Sequence, residues 1–150
     1  AAPLSAGPPA VDAPAPDFAL ASSVGKNLRL SEFRGDVVIV SFWSIRCGRC
    51  REQLVELDAI DRANRPSGLR ILGVNVDGDG AAARREAAKR KLGFPVLFDT
   101  DKRVSRLYDP RRLPMTFVIV PHGIVRHIHD GYARGDETLV ARQVAALLAE

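Results

Sequence analysis

Residues 37–43 are apolar on both faces, which is typical of a strand buried inside a sheet, and residues 69–77 are predicted to form a second buried strand. Each stretch is followed by a segment with helical periodicity. The first of these helices is predicted to begin near Cys50 and to end before Pro66. Strands that alternate with helices in this way indicate parallel pairing and an α/β fold.

The rest of the pattern predicts an N-terminal β-hairpin, a central helix–strand insert, a short helix, a pair of strands joined by a turn, and a closing amphipathic helix. In chain order these are residues 17–20 with 27–30, 81–92 with 96–98, 102–108, 115–120 with 124–129, and 137–148. We therefore expect a mixed central β-sheet flanked by helices, built as one domain over residues 17–150.

Residues 1–16 differ in composition from the rest of the chain. They are almost entirely Ala, Pro, Gly and Ser with one charge, so we expect a flexible tether and not part of the core. Such a tether often follows a signal peptide or a membrane anchor, and neither kind of segment is found in these 150 residues. The prediction is an exported protein, periplasmic or extracytoplasmic, with a possible membrane tether upstream of residue 1.

The chain is mildly basic, with a formal net charge of +4 and a pI near 9.5. Its eighteen arginines and four lysines are spread along the sequence. This charge suits an acidic partner or a membrane surface, but it is too diffuse to indicate nucleic acid.

The only two cysteines are Cys47 and Cys50, placed where the apolar strand 37–43 gives way to a helix. The unpaired N–H groups and the dipole at a helix N-terminus stabilise a thiolate, which is the form of cysteine that attacks disulfides. A second thiol one turn along can then close a disulfide and release the bound substrate. The motif therefore predicts a dithiol redox site.

A structural zinc site is the main alternative for this spacing, and it requires two more ligands. The candidates are His122, His127 and His129, of which the last two are predicted to share one strand face. Cys50 and His127 are 77 positions apart, which is unlike a zinc finger. We expect neither a metal site nor a cofactor.

Several short motifs now identify a family resemblance over the whole chain after the tether. In order they are residues 15–18 (APDF), 30–35 (LSEFRG), 38–43, Cys47-x-x-Cys50, Val74-x-Val76-Asp77, 93–96 (GFPV) and 113–117 (LPMTF). Together they resemble the thioredoxin-like periplasmic TlpA/ResA/CcmG (DsbE) group. The resemblance implies a thioredoxin-like fold and a thiol–disulfide oxidoreductase that exchanges electrons with protein partners.

The same resemblance implies roles for individual residues. Cys47 is the attacking thiol and Cys50 the resolving thiol. A cis-proline at 114 packs against the disulfide, and substrate binds along the loop of Leu113, Pro114 and Met115, with Gly131 beside it. The residues predicted to tune the redox couple are Trp43, Arg46, Gly48 and Arg49; for Trp43, a plain core role remains equally open.

The chain departs from the family beside Cys47, where Arg46 replaces the usual aromatic residue. Together with Arg49 and Arg51 it would surround the thiolate with guanidinium groups, lowering the Cys47 pKa below about 8.5. A stabilised thiolate makes the disulfide more oxidising. The alternative is that these arginines point into solvent and contribute little.

Two further departures concern proton transfer and partner choice. Ser41 stands where thioredoxin has a buried Asp, and Gln53 where ResA-like proteins have a Glu. Proton transfer to Cys50 would then rely on water or on Glu52. Arg112 replaces a small residue before the proline loop and would select an acidic partner surface.

For this family the implied partners are apocytochromes c awaiting haem or copper-site assembly proteins, with a DsbD-like membrane electron donor. A second enzyme class is a peroxiredoxin-like thiol peroxidase: Ser44 satisfies one position of its motif and Val40 fails the other. A third reading is a non-enzymatic copper(I)-binding module that uses the two cysteines. It lacks the support of a methionine-rich segment, since Met115 is the only methionine.

Overall fold

The structure is a computed structural model that describes residues 7–150. Its strands are β1 (Ala19–Ala21), β2 (Asn27–Arg29), β3 (Val37–Trp43), β4 (Leu69–Asn75), β5 (Val96–Phe98), β6 (Met115–Ile119) and β7 (Val125–Asp130). Its α-helices are α1 (Gly48–Asn64), α2 (Gly80–Arg90), α3 (Arg103–Tyr108) and α4 (Asp136–Leu148). None of these helices has the length and apolar character needed to span a bilayer.

β3 is the middle strand of a five-stranded mixed sheet with the order β5-β4-β3-β6-β7. β4 and β5 run parallel to it, whereas β6 pairs with it in the antiparallel sense and β7 pairs with β6 likewise. All seven residues of β3 are buried because both sheet faces are covered, which explains its unbroken apolar run. The predicted α/β fold with a mixed central sheet is confirmed.

Each face of the sheet carries its own hydrophobic core. One core packs α1, α2 and α4 against the sheet and includes Leu54, Ala83, Val144 and Cys50. The other lies under α3 and the N-terminal segment, where the rings of Phe18, Phe42, Tyr108 and Phe117 pack edge to face or tilted. The buried cysteine therefore belongs to the core beneath α1.

The predicted N-terminal hairpin is present as β1 paired with β2, and Gly25 has the positive φ of 85° that its turn requires. The hairpin lies against β5, through a bridge from Ser22 to Leu97 and a hydrogen bond from the Ser23 N–H to the Val96 carbonyl. This contact covers the outer edge of β5, which protects an otherwise open strand edge.

The packed part of the chain reaches further back than the predicted boundary at residue 17. Asp12 and Ala13 exchange backbone hydrogen bonds with Val125, and the Ala15 N–H donates to the carbonyl of Gly123. Ala15 is itself buried. The expectation of a tether up to residue 16 is therefore wrong for residues 12–16. Residues 1–6 lie outside the described residues.

Element boundaries agree with the sequence pattern to within two residues. The shifts of two residues include the start of α1, which lies at Gly48 with Cys47 as its N-cap, and the end of β4, which lies at Asn75 although the predicted strand continued to residue 77. The helix predicted to reach residue 92 stops at Arg90, because Lys91 adopts a left-handed conformation with φ of 52°. These shifts leave the topology unchanged.

Candidate active site

The two cysteines lie at the carboxyl end of β3, where the chain turns from the strand into α1. Cys47 is the N-cap residue with extended backbone, and its Sγ accepts the N–H of Cys50 at 3.0 Å. The two form a disulfide with 5.2 Å between their Cα atoms. Cys47 is half-buried whereas Cys50 is completely buried. Only Cys47 is therefore placed to meet another protein, as its assignment as the attacking thiol requires.

The loop before β6 faces this disulfide. Its Leu113–Pro114 peptide bond is cis, as the resemblance implied. The carbonyl oxygen of Leu113 lies 3.6 Å from the Cys47 Sγ, while Pro114 and Met115 are buried beneath it. The N–H of Gly131 donates to the Pro114 carbonyl at 2.8 Å, which ties the loop to the end of β7. The three predicted loop residues are thus brought next to Cys47.

A groove of about 500 Å³ opens beside this loop. Its walls include Leu113 and Gly131 together with the exposed side chains of Arg49 and Arg112. Gly131 has a positive φ of 87°, and a Cβ at this position would come within 2.9 Å of Arg112 Cδ. The absence of a side chain at Gly131 therefore lets Arg112 lie across the groove wall.

The segment 44–46 just before Cys47 is held by the carboxylate of Asp77, which lies in the loop after β4. Asp77 accepts the Ser44 hydroxyl at 2.5 Å and the Ile45 N–H at 2.9 Å. The Ser44 hydroxyl oxygen in turn accepts the N–H of Arg46 at 3.2 Å, and the Ser44 carbonyl accepts the N–H of Cys47 at 3.2 Å. Asp77 therefore fixes the backbone that leads directly into the attacking cysteine.

The pKa of Asp77 reflects this role. Burial alone would raise it, but hydrogen bonds from Ser44, Ile45 and Asn75, with the nearby charge of Lys102, outweigh burial and lower it below 3.8. The carboxyl group is therefore ionised at neutral pH. Because the folded pKa is depressed, its stabilising contribution is complete above the unfolded value of about 3.9 and is lost only as pH falls through the lower folded value.

Arg51 holds the same segment from the opposite side. Its guanidinium donates to the Ile45 carbonyl at 2.6 Å. From the sequence, Arg51 was expected to add positive charge around the thiolate. In the structure its hydrogen bond anchors the segment 44–46 instead. Arg49 donates to the carbonyl of Tyr132 at 3.1 Å, and Arg46 is exposed. Gly48 opens α1 and is exposed, so the redox-tuning roles of Arg46, Gly48 and Arg49 stay predictions.

A closed ring of hydrogen bonds lies in the core beneath α1. The Ser41 hydroxyl donates to Gln53 Oε1 at 2.7 Å, Gln53 Nε2 donates to Thr116 Oγ1 at 3.0 Å, and the two hydroxyls are 3.0 Å apart. Since Ser41 uses its only proton on Gln53, Thr116 must donate to Ser41. All three side chains are buried. The ring joins α1 to β3 and to the strand that follows the cis-proline.

Trp43 ends β3 inside the core that also contains Cys50, and it is completely buried. Its indole nitrogen lies next to Gly73, where a Cβ would be 3.4 Å away, and it has no hydrogen-bond partner within residues 7–150. The environment is therefore apolar at this end of the strand. Whether Trp43 also tunes the redox couple stays a prediction.

The histidines are placed at different ends of the β6–β7 pair. His122 occupies the turn between the strands, while His129 contacts Gln143 Oε1 at 2.7 Å. The pKa of His127 is lowered, first by burial and then by the neighbouring His129 and Arg126. In the described part of the chain, no group of three or more His, Cys, Asp or Glu side chains is arranged to hold a metal ion.

Sequence reasoning did not foresee the partners of Asp77, or the place of Thr116 in the ring. A signal was available for the ring, because Ser41 and Thr116 are lone polar residues in otherwise apolar strands. Polar side chains in buried strands need partners, so each implied a hydrogen bond across the sheet. No comparable sequence signal pointed to Tyr132, whose carbonyl accepts a hydrogen bond from Arg49.

Comparison with known proteins supports the redox reading of this site. Residues 11–128 match the AhpC/TSA family. The chain is 33% identical over 122 residues to the thiol-disulfide oxidoreductase ResA of Geobacillus kaustophilus, covering 81% of this chain and 70% of that protein. Identity to ResA of Bacillus subtilis is 32% over 117 residues, covering 78% and 65%.

A solved structure also resembles the whole described fold. A Chlorobium tepidum protein assigned as thiol:disulfide interchange protein DsbE superposes with a TM-score of 0.89 at 30% identity, covering 93% of this chain and 99% of that one. At 93% coverage of this chain, the superposition spans nearly all of the described fold. It confirms the predicted thioredoxin-like fold.

Proposed function

Since the chain belongs to the AhpC/TSA family and is a thiol–disulfide oxidoreductase of thioredoxin-like fold, we propose that it reduces disulfides in extracytoplasmic proteins. Its substrates in this proposal are apocytochromes c awaiting haem, or copper-site proteins that must be reduced before metal insertion. A DsbD-like membrane dithiol protein would return electrons to it. An anchor upstream of residue 1 would keep it at the membrane where these partners meet.

The observation that carries the proposal is the unequal exposure of the two sulfurs. Cys47, half-buried at the helix start, attacks one sulfur of the substrate disulfide as a thiolate and releases the other as a substrate thiol. Cys50, buried one turn deeper, then attacks the Cys47 sulfur and releases the second substrate thiol. The substrate gains two electrons and two protons while the pair is oxidised to the disulfide.

The cis-proline loop supports the same mechanism. The Leu113 carbonyl, 3.6 Å from the Cys47 Sγ, marks where an incoming chain would pass the reactive sulfur. Segment 44–46 is anchored by Asp77 and Arg51, so Cys47 needs little reorganisation to react. The neutral Ser41–Gln53–Thr116 ring offers no acid or base, which leaves proton transfer at Cys50 to water or Glu52.

The first prediction tests the roles of the two thiols. Reduced Cys50→Ser protein, mixed with a disulfide-bonded Cys-x-x-Cys-His peptide, is expected to accumulate a mixed disulfide through Cys47, because the resolving attack is lost. Intact mass spectrometry measures the adduct. The matched Cys47→Ser protein is expected to form little of it. An adduct with Cys47→Ser and none with Cys50→Ser would reverse the roles, and no reduction by the unaltered chain would refute the proposed function.

Thiol peroxidase activity is a second candidate because Ser44 satisfies one position of the peroxiredoxin-like motif. The geometry supports it less. Ser44, the motif residue nearest Cys47, donates its hydroxyl to Asp77, and Val40 is fully buried in the middle of β3. Rapid turnover of hydrogen peroxide with a dithiol reductant would favour this candidate instead.

A further inference from the structure

Three exposed arginines surround the reactive cysteine without carboxylate partners. They are Arg46, Arg49 and Arg112. Within residues 7–150 none of them has a carboxylate oxygen within 4.0 Å, whereas eight other arginines do. Seven further arginines of the described residues, Arg85 among them, also lack such a partner, so the three are distinguished by their place beside Cys47. Cationic groups held apart from carboxylates are available to an acidic partner.

Two of these arginines are held in place by the groove walls. The guanidinium of Arg49 donates to the Tyr132 carbonyl, and the stem of Arg112 lies over Gly131. Arg112 also directly precedes Leu113, whose carbonyl is next to the Cys47 sulfur. Their positions are therefore defined before a partner binds, which reduces the entropy lost on contact.

The groove also contains two carboxylates, Asp130 and Asp136, and within residues 7–150 neither lies within 4.0 Å of an arginine nitrogen. Asp136 is in the first turn of α4 and accepts the N–H of Ala133 at 2.8 Å. Its negative charge therefore stabilises the N-terminus of that helix. Asp130 is exposed at the end of β7. Because neither carboxylate pairs with Arg49 or Arg112, both guanidinium groups remain available to an acidic partner.

We propose that the preferred substrates carry Asp or Glu beside the disulfide that Cys47 attacks, and that Arg49 and Arg112 select them. This inference rests on the proposed function, since it specifies the substrates of the same dithiol. Exposed ion pairs add little affinity. Their main effect is to accelerate and orient the encounter, so the preference will appear in the rate of reduction.

The second prediction compares two disulfide peptides that differ only in flanking residues, acidic in one and lysine in the other. The reduced full chain is expected to reduce the acidic peptide about tenfold faster at low ionic strength. At about 1 M salt the Debye length falls to about 3 Å, and the ratio is expected to approach one. Stopped-flow or quenched-flow thiol detection measures both rates.

Reversing the charge of a single arginine tests whether that residue produces the preference for the acidic peptide. Arg112→Glu is expected to lower the acidic-to-basic rate ratio at least fivefold, and Arg112→Lys to retain most of it. Arg85→Glu makes the same change at an exposed, unpaired arginine on α2 and is expected to leave the ratio unaltered. Because each ratio is measured within one variant, a general loss of activity cancels.

The outcomes separate the two proposals. If neither peptide is reduced, the proposed function fails. If both are reduced at equal rates, or the lysine peptide faster, the thiol chemistry stands and the inference about acidic substrates is overturned. An equal effect of Arg85→Glu and Arg112→Glu would also overturn it, because the preference would then come from net charge.

Discussion

The buried ring of Ser41, Gln53 and Thr116 shows how one neutral residue changes the chemistry of the core. As Gln53 both accepts and donates within the ring, each member is satisfied without a charge. A carboxylic acid in the same place would have to lose its proton inside a region that water does not reach. Burial disfavours that charge and raises the pKa of the acid.

The third prediction follows from this argument. Gln53→Glu is expected to have a raised folded pKa and therefore to lose stability as pH rises from about 4.3 towards that value. The loss is about 1.4 kcal/mol for each unit by which burial raises the pKa. Urea unfolding at pH 5 and pH 8, with both cysteines oxidised, measures it.

Val55→Glu is the matched control, because it adds a carboxylate to the same helix at a position that is 56% exposed. It is expected to change stability equally at both pH values, to within about 0.5 kcal/mol. If Gln53→Glu shows the same flat dependence, the site is accessible to water and the argument from burial is wrong.

The ring also marks what sequence reasoning at single positions leaves out. Ser41 and Gln53 were recognised as departures from the family, but each was treated alone. Their connection depends on Thr116, which is paired directly opposite Ser41 across β3 and β6, 75 positions along the chain. Local patterns identify a strand, while its register with a distant strand depends on the whole sheet.

At the level of elements, the N-terminal segment shows a different limit of prediction from the sequence. Its Ala- and Pro-rich composition argued against packing, yet residues 12–15 lie along the start of β7. Those contacts are made by backbone groups, which composition does not report. The Tyr108 hydroxyl adds one more by donating to the carbonyl of Pro16 at 2.5 Å. By contrast, β3 and α1 were predicted well because burial imposes a regular side-chain pattern.

The fourth prediction concerns this segment. A chain that begins at Asp17 is expected to be less stable than one that begins at Asp12, by roughly 1–3 kcal/mol. It loses three backbone hydrogen bonds and the Tyr108 acceptor, each worth about 1 kcal/mol, and regains part of the ordering entropy. Urea unfolding measures both chains.

The control for this comparison is the chain that starts at Ala1. Its stability is expected to match that of the chain starting at Asp12 to within about 0.5 kcal/mol. Equal stability of all three chains would show that the pairing with residues 123–125 contributes nothing measurable.

For the molecule as a whole, we expect the surroundings of Cys47 to favour the reduced enzyme. The Cys47 sulfur accepts an N–H at the start of α1, where the helix dipole is positive, and Arg46 and Arg49 add nearby charge. Each of these is expected to stabilise a thiolate more than a disulfide. The Ser41–Gln53–Thr116 ring beneath the pair is neutral and adds no negative charge of its own.

The fifth prediction is that the equilibrium potential of the Cys47–Cys50 couple lies above that of thioredoxin, about −270 mV. Equilibration with glutathione or dithiothreitol buffers, followed by alkylation and mass analysis, measures it. Arg46→Gln and Arg49→Gln are each expected to lower the potential, whereas Arg85→Gln leaves it unchanged. A potential at or below −270 mV would show that the arginines are too well solvated to affect the sulfur.

The burial of Trp43 has a practical consequence for fluorescence measurements on this protein. It is the chain's one tryptophan, and it is sealed in the same core as Cys50. When the indole is excited at the red edge of its absorption band, the emission reports only on the core region beneath Cys47 and Cys50. The molecule therefore carries its own fluorophore, and no dye is needed to observe the opening of that core.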